Sequence, residues 1–241
     1  MPESVRCGDE RYELVETFKH DFFAATGLYR GHGGAAVLKV GRVNDLLGIP
    51  AAWIGQFLTR REVRLYRVAQ GLPGIPKLIG TVGRNAFLHE FIPGHPLERH
   101  ERVSDAFFDQ LRDLLAALHE RGMAYVDLNK RQNILVGADG RPYLIDFQIS
   151  LHAEPQPGFK GFAANRILRR FQHADRYHYL KHKRRLRPDL LTEEERATVE
   201  ELSFWIRLHR RVARPLTNLR RRILKRLNRS EDTEVAGSAS K

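Results

Sequence analysis

The chain has 241 residues, 42% of them hydrophobic, a formal net charge of +12 and one cysteine. That length fits one large domain or two small ones with enough apolar material for a sizeable core, and a lone Cys7 excludes an internal disulfide and suits a reducing compartment. No apolar run nears the roughly 20 residues that span a bilayer, and Met1-Pro2-Glu3-Ser4 lacks the basic-then-apolar order of a secretory leader, so a cytoplasmic protein is expected.

In chain order, apolar clusters over 12–30 and the run Ala35-Ala36-Val37-Leu38-Lys39-Val40 predict three antiparallel strands, with a tight turn at His32-Gly33-Gly34. Residues 42–71 are predicted helical, with Asn44 or Asp45 capping the start, Pro50 interrupting, and Thr59 capping a later helix. Two further strands are expected over 75–81 and 86–92. Pro93-Gly94-His95-Pro96 is a breaker cluster and the expected lobe boundary. Ser104 then caps an amphipathic helix whose apolar positions, Phe107, Phe108, Leu111, Leu114, Leu115 and Leu118, recur at helical spacing; Gly122 closes it. Ile134-Leu135-Val136 and Tyr143-Leu144-Ile145 flank the turn Ala138-Asp139-Gly140-Arg141 and predict a hairpin. Beyond about residue 165 the chain reads as helical and basic, and from Ser230 the polar tail is expected to be disordered.

The charge is concentrated. Residues 160–187 carry ten Lys/Arg against one acid, Asp175, and residues 207–229 carry ten more with no acid. Such a balance suits an anionic partner, whether a membrane surface, a phosphorylated glycolipid or nucleic acid; the bland alternative is a solvated basic face. Leu216, Leu219, Ile223, Leu224 and Leu227 fall on one helical face, ringed by arginines and lysines. That pattern fits a helix lying on anionic lipid, or equally one packed on the domain through the same face. Nucleic acid has charge alone in its favour, with no aromatic-basic binding motif, and is not expected.

The chemistry lies in residues 118–150. Asp127 stands in a polar loop after a helix. Asn133 follows six residues later at the mouth of the hairpin, and Asp146 closes the hairpin's second strand. Phosphoryl transfer needs these types: a carboxylate to orient a hydroxyl and accept its proton, and an amide oxygen with a second carboxylate to hold Mg²⁺ against phosphates.

Leu118-His119 through Asp127-Leu128…Asn133, followed by Ile145-Asp146-Phe147, resembles the catalytic loop and metal-binding motif of the protein kinases. It is also similar to a bacterial branch, the lipopolysaccharide (Kdo/heptose) kinases and their RIO-like relatives. The resemblance covers about residues 12–150. It implies an α+β, two-lobed kinase-like fold, with a β-rich small lobe over 10–92 and a mainly helical large lobe over 97–229. Together these form one domain, 1–229, with tail 230–241. It implies ATP and Mg²⁺ as cofactors. Asp127 becomes the catalytic base, Lys130 or Arg131 the catalytic-loop cation (Lys130 is taken as the first choice), and Asn133 and Asp146 the metal ligands. Lys39 resembles the strand lysine that contacts phosphates, Glu62 the helix glutamate that braces it, and Glu90-Phe91-Ile92 the hinge that receives adenine through its backbone.

The chain also departs from that pattern. Lys19-His20-Asp21-Phe22-Phe23 stands where a glycine-rich loop belongs, which makes close approach to phosphate harder. Tyr125-Val126 replaces His-Arg, so the arginine that would read a phosphorylated activation loop is absent. Gln148 replaces the glycine after Asp-Phe, and one extra residue separates Asp127 from Asn133. The expectation is an ATP-dependent kinase acting on a hydroxyl, with a sugar of an anionic lipopolysaccharide-type glycolipid first and a protein substrate second. The basic large lobe and C-terminal helix would hold it peripherally on the inner face of the cytoplasmic membrane. A membrane-associated pseudokinase scaffold is the alternative outside enzymes.

Overall fold

A computed structural model describes residues 1–20, 24–41, 52–154 and 157–200. The chain opens with β1 (Ser4–Cys7), β2 (Glu10–His20), β3 (Ala24–Gly31) and β4 (Gly34–Gly41). After helix α1 (Ala52–Ala69) come β5 (Leu78–Val82) and β6 (Ala86–Glu90). These strands form one antiparallel sheet in the order β1-β2-β3-β4-β6-β5. β1 is a strand the sequence reading did not anticipate. Its backbone pairs residue by residue with the start of β2, Ser4 opposite Glu13 and Cys7 opposite Glu10.

Period-2 alternation sorts the sheet's two faces. Tyr12, Tyr29, Ala36, Leu38, Ala86 and Leu88 are buried together as the core of this sheet. Lys39 follows Leu38 and so projects to the opposite face, where it meets α1. The α1 residues Val63, Leu65, Tyr66 and Ala69 are buried. Thr59 does not cap this helix. It lies inside it, and its hydroxyl donates to the Asn85 carbonyl, tying α1 to the β5–β6 turn. The expected caps Asn44 and Asp45, and Pro50, lie outside the described residues.

Gly94–Pro96 is a short strand, β7, rather than a break. It adds to the hairpin of β9 (Ile134–Gly137) and β10 (Pro142–Leu144), in the order β10-β9-β7. Proline is tolerated because, among the described residues, β7 is an edge strand of this sheet. Gly94, at φ +152°, permits the pairing: a Cβ there would fall on the Val136 carbonyl oxygen.

Helix α2 (Asp105–Glu120) buries the six apolar residues expected of it. Ser104 occupies the N-cap position in extended conformation, although its hydroxyl makes no capping bond. Gly122, at φ +67°, ends the helix as expected. A two-residue strand, β8 (Met123–Ala124), pairs with β11 (Leu151–His152) and brackets the loop between them. Helix α3 (Gly158–Leu186) runs for 29 residues and buries Leu168, Asp175, Tyr177, Tyr179 and Leu180. Phe108 of α2 meets Tyr179 of α3 edge-on at 6.1 Å.

Contacts divide the chain into two compact units, Met1–Leu190 and Leu191–Lys241. Everything above belongs to the first. In the second, Thr192 and Glu195 form a capping box: the Glu195 N–H donates to the Thr192 hydroxyl oxygen and the Thr192 N–H to the Glu195 carboxylate, both at 3.1 Å. The basic helix expected over 207–229 and the tail lie outside the described residues. Among the described residues no helix is long and apolar enough to cross a membrane.

Candidate active site

Two groups of polar side chains form, one at Lys39 and one at Asp127. In the first, Lys39 Nζ lies 2.7 Å from Glu62 Oε1 and 2.8 Å from Asp146 Oδ1. Three residues that are 23 and 107 positions apart along the chain thus meet at one ammonium. Glu62 is 2% exposed and also accepts the Phe147 N–H. Burial alone would pull the Lys39 ammonium down, but the carboxylates of Glu62 and Asp146 outweigh it and hold the lysine above its ordinary value. Burial works upward on Asp146 and is overcome by Lys39, which keeps the carboxyl below the usual carboxylate range. Glu62 is buried deeper still, and that burial raises it against the pull of Lys39.

In the second group, Asp127 Oδ2 accepts from Lys130 Nζ at 2.6 Å and from Asn133 Nδ2 at 2.9 Å. A short 3₁₀ turn, Arg131–Asn133, makes this reach possible, because it folds the loop back so that Asn133 stands over Asp127. Of the two cations considered for the loop, Lys130 is the one paired with Asp127. Asn133 spends its amide nitrogen on Asp127, so its oxygen carries no protein bond among the described residues. Asp146 likewise uses Oδ1 on Lys39 and on the Gln148 N–H, and its Oδ2 carries none. An amide oxygen and a carboxylate oxygen left open in this way are the hard donors that Mg²⁺ takes. The backbone ties the two segments together: the Ile145 N–H, one residue before Asp146, donates to the Asn133 carbonyl at 3.1 Å. The buried Tyr125 hydroxyl donates to the Asn133 and Ile145 carbonyls.

Asp175 is the residue that sequence reasoning passed over. It is fully buried, and its carboxylate accepts the Tyr125 and Val126 N–H groups, both at 2.7 Å, with His119 Nε2 at 3.2 Å. Val126 has φ +71°, a conformation that strains a β-branched residue and persists only where the surroundings enforce it. The Asp175 carboxylate supplies that enforcement, one residue before Asp127. The signal in the sequence was its solitude as the one acid among the ten cations of 160–187. Arg61 was also missed. Its guanidinium donates to the Gln148 carbonyl and to the Ser150 carbonyl, the latter at 2.5 Å, and so fastens α1 to the stretch that follows Asp146.

Glu90 ends β6 and Ile92 lies two residues beyond it; no bond to either group is made by their side chains among the described residues. The Glu90 side chain is exposed and accepts the Lys77 N–H, while its backbone N–H donates to the Lys77 carbonyl at 2.8 Å. Its own carbonyl lies 2.9 Å from His89 Nδ1. Ile92 is half-buried beyond Phe91, whose ring stacks on Phe18 of β2 at 6.3 Å and whose N–H reaches the Ala35 carbonyl. The substitute for a glycine-rich loop includes residues 21–23, which lie outside the described residues.

A β-rich sheet with one docked helix, followed by a helical region that carries a short catalytic-type hairpin, is the protein-kinase-like fold. The solved structure of the Rio2 kinase from Chaetomium thermophilum superposes with a TM-score of 0.55 at 12% identity, covering 78% of this chain and 63% of that one. By sequence the chain is 26% identical over 164 residues to serine/threonine-protein kinase C of Synechocystis sp., covering 62% of this chain and 31% of that protein. It is 25% identical over 142 residues to sperm motility kinase 3A of Mus musculus, covering 52% and 28%. The chain therefore spans about a third of the length of the curated relatives it matches. No protein-family model matches it.

Proposed function

We propose that this chain is an ATP- and Mg²⁺-dependent phosphotransferase that phosphorylates a hydroxyl. The observation that carries the reading is Asp127 held by Lys130 and Asn133, together with Lys39 joining Glu62 and Asp146. Asp127 orients the acceptor hydroxyl and takes its proton. Lys130, the exposed partner of Asp127, steadies charge at the transferred group. Lys39, braced by Glu62, meets the nucleotide phosphates. Asn133 and Asp146 hold the metal, which when bound neutralises charge on the phosphates. The backbone of Glu90-Phe91-Ile92 receives the base. No covalent intermediate is required, because positioning and charge supply the rate.

The acceptor we favour is a sugar hydroxyl on an anionic glycolipid of lipopolysaccharide type. The support is the basic balance of 160–187 and 207–229 together with the branch resemblance. Peripheral attachment to the inner face of the cytoplasmic membrane belongs to the same proposal, since each exposed cation near an anionic leaflet contributes about 1 kcal/mol. A RIO-like serine/threonine kinase is the second reading, favoured by the fold shared with a Rio2 kinase.

The test is Mg²⁺-dependent transfer of labelled γ-phosphate from ATP, with purified core glycolipid and a generic basic protein offered side by side and Asp127→Ala as control. Label on the glycolipid that vanishes in the variant is the expected result. Label on protein alone moves the assignment to the second reading. No Asp127-dependent label on either acceptor, with no nucleotide bound, leaves a pseudokinase scaffold.

A further inference from the structure

The first half of α3 has two unlike faces. Gly161, Leu168 and Asp175, spaced seven residues apart on one side, are buried. Gln172, on the same side, donates to the His119 and Met123 carbonyls. This side holds the helix to the catalytic loop, since Asp175 accepts the Tyr125 and Val126 N–H groups. The opposite side carries Phe159, 84% exposed, Phe162, 58% exposed, and Ile167, 56% exposed. All three fall within little more than two helical turns. Single exposed apolar residues are normal on a protein surface, whereas a group of them on one helix face marks a surface that is covered in use.

Charge tells what covers it. Lys160, Arg166, Arg169 and Arg170 are exposed on and beside this face, and residues 158–174 contain no Asp or Glu. None of these four cations pairs with a carboxylate among the described residues. The segment 207–229 is a poor cover, because it would bring ten more cations and no acid against them. A second copy of the same face meets the same objection. An anionic lipid surface supplies both things the face lacks, an apolar layer for the rings and phosphates for the cations. Arginine and lysine stems are long enough to keep their charged ends among the phosphates while the rings sit deeper.

We propose that the outward face of α3 seats in the headgroup layer of an anionic membrane, with Phe159 and Phe162 inserted and Ile167 at the lipid boundary. The inference rests on the peripheral attachment proposed above and adds to it an apolar contact that charge alone does not provide. The helix that meets the lipid is then also the helix that holds the catalytic loop through Asp175.

The full chain is sedimented with phosphatidylcholine vesicles that contain phosphatidylglycerol. The variant Phe159→Ser/Phe162→Ser keeps the charge unchanged, and because both rings are exposed its urea midpoint should match that of the wild type. Losing two inserted rings predicts that it partitions onto these vesicles about tenfold or more weakly. In a second measurement, Ile167→Cys in a Cys7→Ser background carries one environment-sensitive fluorophore, whose emission should shift to the blue when the same vesicles are added. Both results are required. Equal binding by the serine variant, or an unshifted fluorophore, overturns the insertion of α3; if the wild type still sediments with the vesicles, attachment by charge alone stands. No wild-type binding to the anionic vesicles overturns the insertion and the attachment together. A fluorophore that answers to polyglutamate and not to vesicles assigns the face to an acidic protein partner, and the proposal falls.

Discussion

Asp175→Asn removes a charge and leaves the shape. The carboxylate now accepts two backbone N–H groups at 2.7 Å, from Tyr125 and Val126. An amide can accept one of them through its oxygen but must turn its NH₂ toward the other, or toward His119. Charge-assisted bonds contribute about 1.5–3 kcal/mol each, and a buried N–H left unmet costs about 1–3 kcal/mol. Losing one bond outright and weakening the second therefore predicts a destabilisation of about 3–5 kcal/mol. That is a large share of the roughly 5–15 kcal/mol that holds a domain together. Urea unfolding of the full chain measures it as a lower midpoint with unchanged slope. The local consequence is separable. With its N–H released, Val126 is expected to leave φ +71° and to swing Asp127 out of register. Phosphate transfer should then fall further than the folded fraction does. A second substitution, Val126→Gly, accepts the left-handed backbone without strain and should restore part of the stability. A midpoint for Asp175→Asn within about 0.5 kcal/mol of wild type would refute the reasoning, because surface changes of no structural consequence fall in that range.

Lys39→Met should abolish transfer and destabilise by about 3 kcal/mol, since it strands the buried Glu62 carboxylate; adding Glu62→Gln should recover stability but not activity, and a single variant as stable as wild type would be inconsistent with the ion pair. His89 supplies a pH signature. Burial pushes it from 6.5 down to about 4, so between those values the unfolded chain binds a proton that the folded chain does not, and stability is lost as pH falls through that window. At about 1.36 kcal/mol per pH unit the loss approaches 3 kcal/mol. Unfolding at pH 7 and pH 4.5, with His89→Phe as the flat control, measures it; equal pH slopes in the two proteins would remove His89 as the cause.

The hairpin of β9 and β10 and the helix α2 were legible because each is encoded locally, and the short separations of Asp127, Asn133 and Asp146 drew attention to them in the same way. Alternation, helical spacing and fixed separations are written in consecutive residues. Lys39 and Glu62 were legible through resemblance, and the fold brings them into contact. Asp175 was not, because its partners are backbone N–H groups some 50 positions upstream, and backbone leaves no mark of its need in side-chain identity. The same reason hid Arg61. Thr59 was misplaced because a hydroxyl at a helix start and one inside a helix look alike until the Asn85 carbonyl is seen beside it. Pro93–Pro96 looked like a break because its pairing partner, β9, comes about 40 residues later.

The Arg61 clamp bears on how such a chain can diverge. Its acceptors are the carbonyls of Gln148 and Ser150, which every amino acid possesses, whereas the donor is a five-proton fork that only arginine provides. Drift at Gln148 and at the exposed Ile149 leaves the clamp intact, while any exchange at Arg61 dissolves it. A comparison of homologues would thus find an invariant arginine facing a variable stretch, with no compensating changes to betray the contact. A chimera that imports α1 from another protein of this fold, without an arginine at this place, would lose the fastening even if every residue from 146 to 150 were kept.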